Sequence, residues 1–182
     1  MSKPTNILQL VPQTAVTRHL TYYTPTNYDR RYTPAQVTDL KVGGQLALWS
    51  MRKWVQIRHK EQSVSERLQG PYAQAGISTA IDSLDESMLL LSKLAMRPVT
   101  FECTCSVVLN ADEVRIIGAL ALLQKSELEA AKYNIGRILV GRLRDVYCRS
   151  ANAYTDAFRR AGLFIHLPCK HDNLLRSVKK QL

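Results

Sequence analysis

Apolar residues recur at helical spacing along most of the chain. The most regular stretch advances by alternating steps of four and three residues and consists of Ile77, Ile81, Leu84, Met88, Leu91 and Ala95. Such a seam predicts a helix that packs one face against another helix. We expect this helix to end before Pro98, because the residue preceding a proline is pushed out of the helical region.

A second apolar stripe predicts an earlier helix, which starts at Thr33-Pro34 and runs to about Arg58. The stripe consists of Leu40, Gly44, Ala47, Met51 and Trp54. Trp49 lies off this line, so we expect it to cover an edge of the core or to contact a partner. Residues 61–69 are predicted to form a polar connector, which Gly70 and Pro71 end.

The clearest local signals lie between Asn110 and Gly162 and predict two helices joined by almost no loop. Asn110 with Glu113, and Ser126 with Glu129, each have the spacing of a capping box. Gly162 suits the position just after the last helical residue. When the second helix is projected as one continuous element, Arg137 and Arg144 fall on its outward face and Cys148 lies opposite its apolar stripe.

The periodicity changes to two between Thr100 and Val107, which predicts a single short strand. Phe101, Cys103 and Cys105 would face inward in this strand, and Glu102 and Thr104 outward. A strand needs a partner for its backbone groups. The candidates are the N-terminal arm, residues 163–167 and a second copy of the protein.

These elements predict a mainly α, single-domain helical bundle of four or five helices, with one short strand and irregular flanks. The chain of 182 residues is long enough to bury a substantial core in one domain. We divide it into a basic arm rich in Tyr and Thr (1–33), a helical domain (34–165) and a basic C-terminal tail (166–182).

The net charge of +10 is concentrated in the two flanks. Residues 1–33 contain four basic residues and one acidic residue, and so do residues 166–182. Such flanks either favour an anionic partner or keep a small protein in solution. The four cysteines do not resemble a secreted disulfide framework, so we predict a reducing cytoplasm. No apolar run is long enough for a transmembrane segment.

Cysteine and histidine residues offer one possible metal site. Cys103, Cys105, Cys169 and His171 together could ligate zinc, but Cys-x-Cys and Cys-x-His lack the usual spacing of zinc ligands. The alternating pattern instead favours Cys103 and Cys105 as small buried hydrophobic residues. We find no catalytic motif and expect no cofactor.

The sequence therefore predicts a small helical protein-interaction or regulatory module without catalytic activity. Its partner would be another protein or a second copy of the chain. A nucleic-acid-binding protein is the first alternative, because basic flanks and outward arginines suit phosphate, and a metal-binding protein is the second. The residues predicted to contact a protein or nucleic acid are Tyr22, Tyr23, Arg30, Arg31, Trp49, Arg137, Arg144, Lys179 and Lys180.

Overall fold

The computed structural model describes residues 35–166 and the backbone of residues 20–22. Within this part, two short strands and six helices follow one another along the chain. They are β1 (Leu20–Tyr22), α1 (Val42–His59), α2 (Val64–Gln74), α3 (Ile81–Leu94), β2 (Val99–Phe101), α4 (Ala111–Gln124), α5 (Leu128–Ile135) and α6 (Arg142–Arg160). The mainly helical prediction is confirmed, with one helix more than the four or five expected.

Helix α4 lies at the centre of the core and is packed by α1, α5 and α6. Apolar side chains on nearly every side of it are buried, in contrast to the one-sided burial of a surface helix. The seam predicted for α3 is buried along its whole length. Five apolar residues on α3, on α4, on α5 and just after α5 are each no more than 2% exposed: Leu84, Met88, Ile117, Ile135 and Leu139.

Helix α1 starts eight residues later than the proline signal predicted. Backbone pairing with the segment after β2 occupies the residues before it: Val37 donates its N–H to Val107, and Leu109 donates to Ala35, both at 2.8 Å. Only a single 3₁₀ turn, Val37–Asp39, forms there. The prediction was wrong because a non-local pairing uses these backbone groups.

Helix α2 continues through Gly70 and Pro71, where the sequence predicted a stop. A proline inside a helix removes one backbone hydrogen bond and costs about 3 kcal/mol. Leu68 and Tyr72 on either side of it are fully buried, and the Tyr72 hydroxyl lies 3.3 Å from that of Tyr154. Burial of these two side chains offsets the proline penalty.

The predicted strand is shorter than its alternating pattern. It ends at Phe101 and pairs in parallel with β1, so the N-terminal arm is the partner found among the three candidates. Beyond Phe101 the chain turns, Glu102 is buried and Cys105 is exposed. The predicted inward orientation of Cys105 and outward orientation of Glu102 were therefore wrong.

The continuous helix predicted after Ser126 is in fact two helices separated by residues 136–141. Gly141 has a φ of 50°, which favours glycine, and marks the point where α6 begins. The capping box predicted at Ser126 does not form, because Ser126 itself has a φ of 63°. The break rotates the faces of α6 relative to the projection, so Cys148 is 1% exposed instead of facing outward.

The end of α6 follows its sequence signals. Gly162 has a φ of 71°, and Leu163 donates its N–H to Phe158, as in a Schellman motif. The chain then crosses the start of α1, where a Cβ placed on Gly43 would lie 2.6 Å from the carbonyl oxygen of Phe164. A side chain larger than that of glycine would therefore not fit at residue 43 without a shift of this backbone.

Candidate interaction surfaces

A buried ion pair at the N-terminus of α4 holds the segment between β2 and α4. Arg52 and Glu113 are 2% and 0% exposed, and Arg52 Nε lies 2.7 Å from Glu113 Oε1. Arg52 also donates to the carbonyl oxygens of Ser106 (2.7 Å) and Val108 (2.6 Å). Each charged group is thus matched by partners, as burial of charge requires.

Glu113 binds the backbone of the segment between β2 and α4, in addition to pairing with Arg52. Its carboxylate accepts the backbone N–H of Glu102 and of Asn110, each at 3.0 Å. The second of these bonds completes the capping box predicted from Asn110 and Glu113, because the Asn110 side chain accepts from Glu113 N in return. A single buried carboxylate therefore ties together the loop, the helix cap and α1.

Asp112, next to Glu113, holds the chain just before and within β2. It accepts hydrogen bonds from the Arg97 guanidinium and from the backbone and hydroxyl of Thr100. Burial alone would raise the pKa of the Asp112 carboxyl, but the Arg97 and Thr100 hydrogen bonds outweigh it and lower that pKa below its usual value. Asp112 is therefore held ionised.

Glu102 has the opposite electrostatic setting. It is 7% exposed, and burial together with the neighbouring Glu113 charge raises its pKa above the usual value. The charge of the nearby Arg52 lowers the pKa of Glu102, but by less than burial and Glu113 raise it. Glu102 thus lies in an environment that disfavours its charged form.

Cys103 and Cys105 follow Glu102 and form a disulfide across a tight turn. Ser106 donates its N–H to the Cys103 carbonyl at 3.0 Å, which closes the turn. Cys103 is partly buried, and Thr104 and Cys105 are exposed. The prediction of two small buried hydrophobic residues was wrong here, because the turn replaces the strand that would have buried them.

A metal site is not found in the described part of the chain. No group of three or more His, Cys, Asp or Glu side chains there could hold a metal ion. The disulfide also leaves Cys103 and Cys105 without the free thiolates that zinc requires. The other two predicted ligands, Cys169 and His171, lie outside the described residues.

The charge excess of the described domain lies in its C-terminal third. Residues 132–160 contain seven basic and two acidic side chains, whereas residues 35–131 contain ten basic and eleven acidic ones. The two acidic groups are themselves engaged: Asp145 lies 2.6 Å from Lys132 Nζ, and Asp156 lies 2.7 Å from Arg159. Helix α6 and the turn before it therefore hold the excess positive charge of this domain.

Three exposed arginines lie in one row along α6. Arg142, Arg149 and Arg160 are separated by seven and eleven residues, which are close to two and three helical turns. None of them forms a salt bridge with the described residues. Arg144 behaves differently, because its Nε donates to the Leu139 carbonyl at 2.9 Å and its side chain is partly buried. The outward position predicted for Arg144 was wrong.

Apolar side chains are also exposed on α5 and near the junction of α5 and α6, residues 136–141. Met96 is 51% exposed, Tyr133 53% and Val140 45%. Met96 is brought to the junction by its backbone N–H, which donates to Ile138 at 2.9 Å. We define the α5–α6 surface as the set Met96, Tyr133, Arg137, Val140, Arg142 and Arg149.

A groove of about 320 Å³ follows the outer side of α3. It is lined by Asp82, Asp85, Glu86, Leu89, Leu90, Lys93 and Leu94. Asp85 accepts hydrogen bonds from Trp54 and Arg58, and Glu86 accepts one from Ser150. Because these two carboxylates are engaged by the protein itself, the groove presents mainly an apolar wall.

The structure places few of the predicted contact residues. Arg137 is exposed and belongs to the α5–α6 surface, whereas Trp49 is partly buried against the core, far along the chain from that surface. Tyr22 lies in β1, where only the backbone is described. The remaining predicted contacts lie outside the described residues: Tyr23, Arg30, Arg31, Lys179 and Lys180.

The sequence prediction missed Met96, Tyr133, Val140, Arg142 and Arg149. The signal that could have identified the last three is the pair Gly136 and Gly141, which lie inside the single helix predicted after Ser126. Gly141 instead starts a new helix with a different outward face. Met96 had no such signal, because its position depends on a backbone contact with a residue 42 positions away.

Comparison with protein-family models, with curated proteins and with solved structures found no match to this chain. In the described part of the chain, no helix is both long enough and apolar enough to cross a membrane.

Proposed function

We propose that the protein is an interaction module without catalytic activity, which binds an acidic segment of a partner protein through the α5–α6 surface. The observation that supports this most directly is the exposure of Met96 and Val140 beside Arg137 and Arg142. Contacts between proteins favour this combination, since methionine, tyrosine and arginine are enriched in interfaces.

The chemistry of the surface indicates the partner. Exposed apolar side chains gain binding energy when they leave water, and methionine adapts to partners of varied shape. The neighbouring arginines prefer carboxylates, which they can bind with two hydrogen bonds. An amphipathic acidic segment would satisfy both requirements.

The surface is also held in a defined shape by contacts within the protein. Lys132 joins α5 to Asp145 of α6, and Arg144 fastens the start of α6 to the Leu139 carbonyl. A preformed surface loses less conformational entropy on binding than a flexible one.

In this proposal the basic arm (1–33) and the basic C-terminal tail (166–182) would extend the contact with the partner. The protein would act in the cytoplasm. The disulfide between Cys103 and Cys105 encloses only one residue, unlike the framework of a secreted domain.

Nucleic-acid binding is the second candidate, and the row of Arg142, Arg149 and Arg160 favours it. The helical rise separates these residues by about 10 Å and 16 Å along α6, so one phosphate backbone could contact several of them. Phosphate contacts, however, make no use of exposed Met96 and Val140. The apolar side chains therefore distinguish the two candidates.

The test compares two double variants with a matched control. Met96→Ala/Val140→Ala removes the apolar side chains, Arg142→Gln/Arg149→Gln removes the charges, and Arg67→Gln alters an exposed arginine on α2. Each protein is titrated with an acidic amphipathic peptide of alternating Glu and Leu, and with generic RNA and DNA at two salt concentrations.

The proposal expects peptide binding that the apolar double variant weakens at least about tenfold, with Arg67→Gln unchanged. Nucleic-acid binding would instead be steeply salt-dependent, and Arg142→Gln/Arg149→Gln would reduce the slope by about one unit for each phosphate that the variant no longer neutralises. Absence of both activities would contradict the proposed surface. Sedimentation analysis of the apolar variant tests whether a second copy of the chain is the partner.

A further inference from the structure

The Cys103–Cys105 disulfide lies at the exposed tip of a turn. Cys105 and Thr104 are exposed, whereas Cys103 is partly buried. A thiolate from solution can therefore approach the sulfur of Cys105 more readily than that of Cys103. Accessibility of one sulfur is the first requirement for exchange between a thiol and a disulfide.

The turn is held by contacts that do not involve the disulfide. Before it, the N–H of Glu102 donates to Glu113; after it, the carbonyls of Ser106 and Val108 accept from Arg52. The turn itself is closed by the hydrogen bond from Ser106 to Cys103. The two thiols would therefore stay adjacent after reduction, which favours reoxidation within the molecule.

The disulfide does little to stabilise the fold. A disulfide stabilises mainly by restricting the unfolded chain, and the effect falls as the enclosed loop shortens. This one encloses Thr104 alone. So short a loop suits reversible chemistry better than a structural cross-link, and disulfides in reducing compartments are generally of the transient kind.

From these observations we propose that Cys103 and Cys105 form a reversible thiol–disulfide exchange site, whose co-reactant is a dithiol or a small thiol. The site is separate from the α5–α6 surface, and its existence does not depend on the function proposed for that surface. The pair lies in the loop between β2, which pairs with β1, and residues 107–109, which pair with residues 35–37.

The exchange proceeds in two balanced steps. A thiolate of the dithiol attacks the Cys105 sulfur and forms a mixed disulfide, while the Cys103 sulfur leaves with the bonding electrons and takes up a proton. The second thiol of the dithiol, or a second molecule of a small thiol, then loses its proton and attacks the sulfur of the first, and Cys105 leaves as a thiolate that takes up this proton. Two electrons pass to the protein, and the dithiol becomes a disulfide.

Cys148 provides an internal control in the same chain. It is 1% exposed, and burial raises the pKa of its thiol to about 11. Little of it is thiolate at neutral pH, so it should react slowly with thiol reagents. Any fast exchange in the described part of the chain should therefore occur at the Cys103–Cys105 pair.

The experiment equilibrates the full chain in glutathione buffers of graded oxidation, quenches with acid, alkylates free thiols and locates them by peptide mass spectrometry. In parallel, Cys103→Ser and Cys105→Ser are treated with oxidised glutathione. We expect the pair to change reversibly by two electrons with Cys148 unmodified in the folded protein. The glutathione adduct should form on Cys105 in Cys103→Ser at least about tenfold faster than on Cys103 in Cys105→Ser.

Thermal unfolding of the oxidised and reduced forms separates an exchange site from a structural bond. We expect the two midpoints to agree within about 2 °C. A fall of more than about 5 °C on reduction would show a structural disulfide and overturn the proposal. A pair that remains reduced in every buffer, or that resists reduction in the folded protein, would overturn it as well.

Discussion

Arginine is used in two opposite ways in this protein, at the N-terminus of α4 and along α6. Arg52 is buried, and its guanidinium donates to the Glu113 carboxylate and to two backbone carbonyls. Arg142 and Arg149 are exposed and form no salt bridge with the described residues. The first arrangement determines the conformation of the chain, and the second leaves charge available to a partner.

The difference shows why net charge alone says little about function. A buried charge that loses its partner is strongly destabilising, whereas an exposed charge contributes little to the free energy of unfolding. The same residue type is therefore structural in one place and available for binding in the other. Four substitutions test this division between structural and available charges. They are given in order of decreasing expected effect on the free energy of unfolding.

Replacing Arg52 with Ala should have the largest effect. It leaves the Glu113 carboxylate buried without its cation, which should lower the free energy of unfolding by about 3–5 kcal/mol. Urea denaturation measures the loss, with Arg142→Ala as the matched control, expected within about 0.5 kcal/mol of wild type. If Arg52→Ala does not fold, Arg52→Lys keeps the charge and tests the bidentate geometry alone. Equal midpoints for Arg52→Ala and Arg142→Ala would contradict the comparison.

Replacing Asp112 with Asn should have the next largest effect, and one that depends on pH. Its folded pKa lies below the unfolded value, so its stabilisation is complete above about pH 4 and is lost as the pH falls through the folded pKa. At pH 7 the variant should be less stable by about 1–3 kcal/mol. Denaturation between pH 2 and pH 7 checks this. A difference from wild type that does not shrink towards low pH would be inconsistent with an ionised Asp112.

Replacing Glu102 with Gln should change the free energy of unfolding at pH 7 in the opposite direction. Because its folded pKa is raised, the stabilisation from Glu102 is present below the unfolded pKa of about 4.3 and lost as the pH rises through the folded value. The variant should thus be more stable than wild type at pH 7, by about 0.5–1 kcal/mol, and equal to it near pH 3. A variant that is less stable at pH 7 would mean that the Glu102 charge is needed.

Replacing Lys132 with Ala should have no measurable effect on stability. Its ammonium lies 2.6 Å from Asp145 and 2.8 Å from Glu129, but the cluster is at the surface, where water and salt screen it. The denaturant midpoint is compared with that of wild type at low and high salt. A clearly lower denaturant midpoint for the variant at low salt would show that this ion pair stabilises the fold.

Several predictions that depended only on neighbouring residues were confirmed. Asn110 and Glu113 form their capping box, Gly162 ends α6, and the four-three seam of α3 is buried. Each depends on residues within one or two helical turns, whose geometry the helix itself determines. Arg137 is exposed as predicted, although the prediction assumed one continuous helix and the residue lies in the turn after α5.

Predictions failed where distant parts of the chain compete for the same groups. The late start of α1 reflects pairing with residues 107–109, and the passage of α2 through Pro71 reflects burial beside α6. Cys103 and Cys105 lie in a turn and not in the predicted strand. The alternation of apolar and polar residues does not distinguish a strand from a turn of this length. Among the candidate contacts that the structure describes, only Arg137 belongs to the α5–α6 surface.

The sequence alone determined that this protein is mainly helical, which faces of α1 and α3 are apolar, and where α4 starts and α6 ends, because those features depend on local spacing and capping. Tertiary structure decided which charges are buried. Arg52 and Glu113 are 61 residues apart, and nothing local marks either one as the other's partner. It also decided the outward face of α6, because the chain breaks between α5 and α6 at residues 136–141, where Ile138 and Leu139 enter the core. The α5–α6 surface is therefore a product of packing between distant segments.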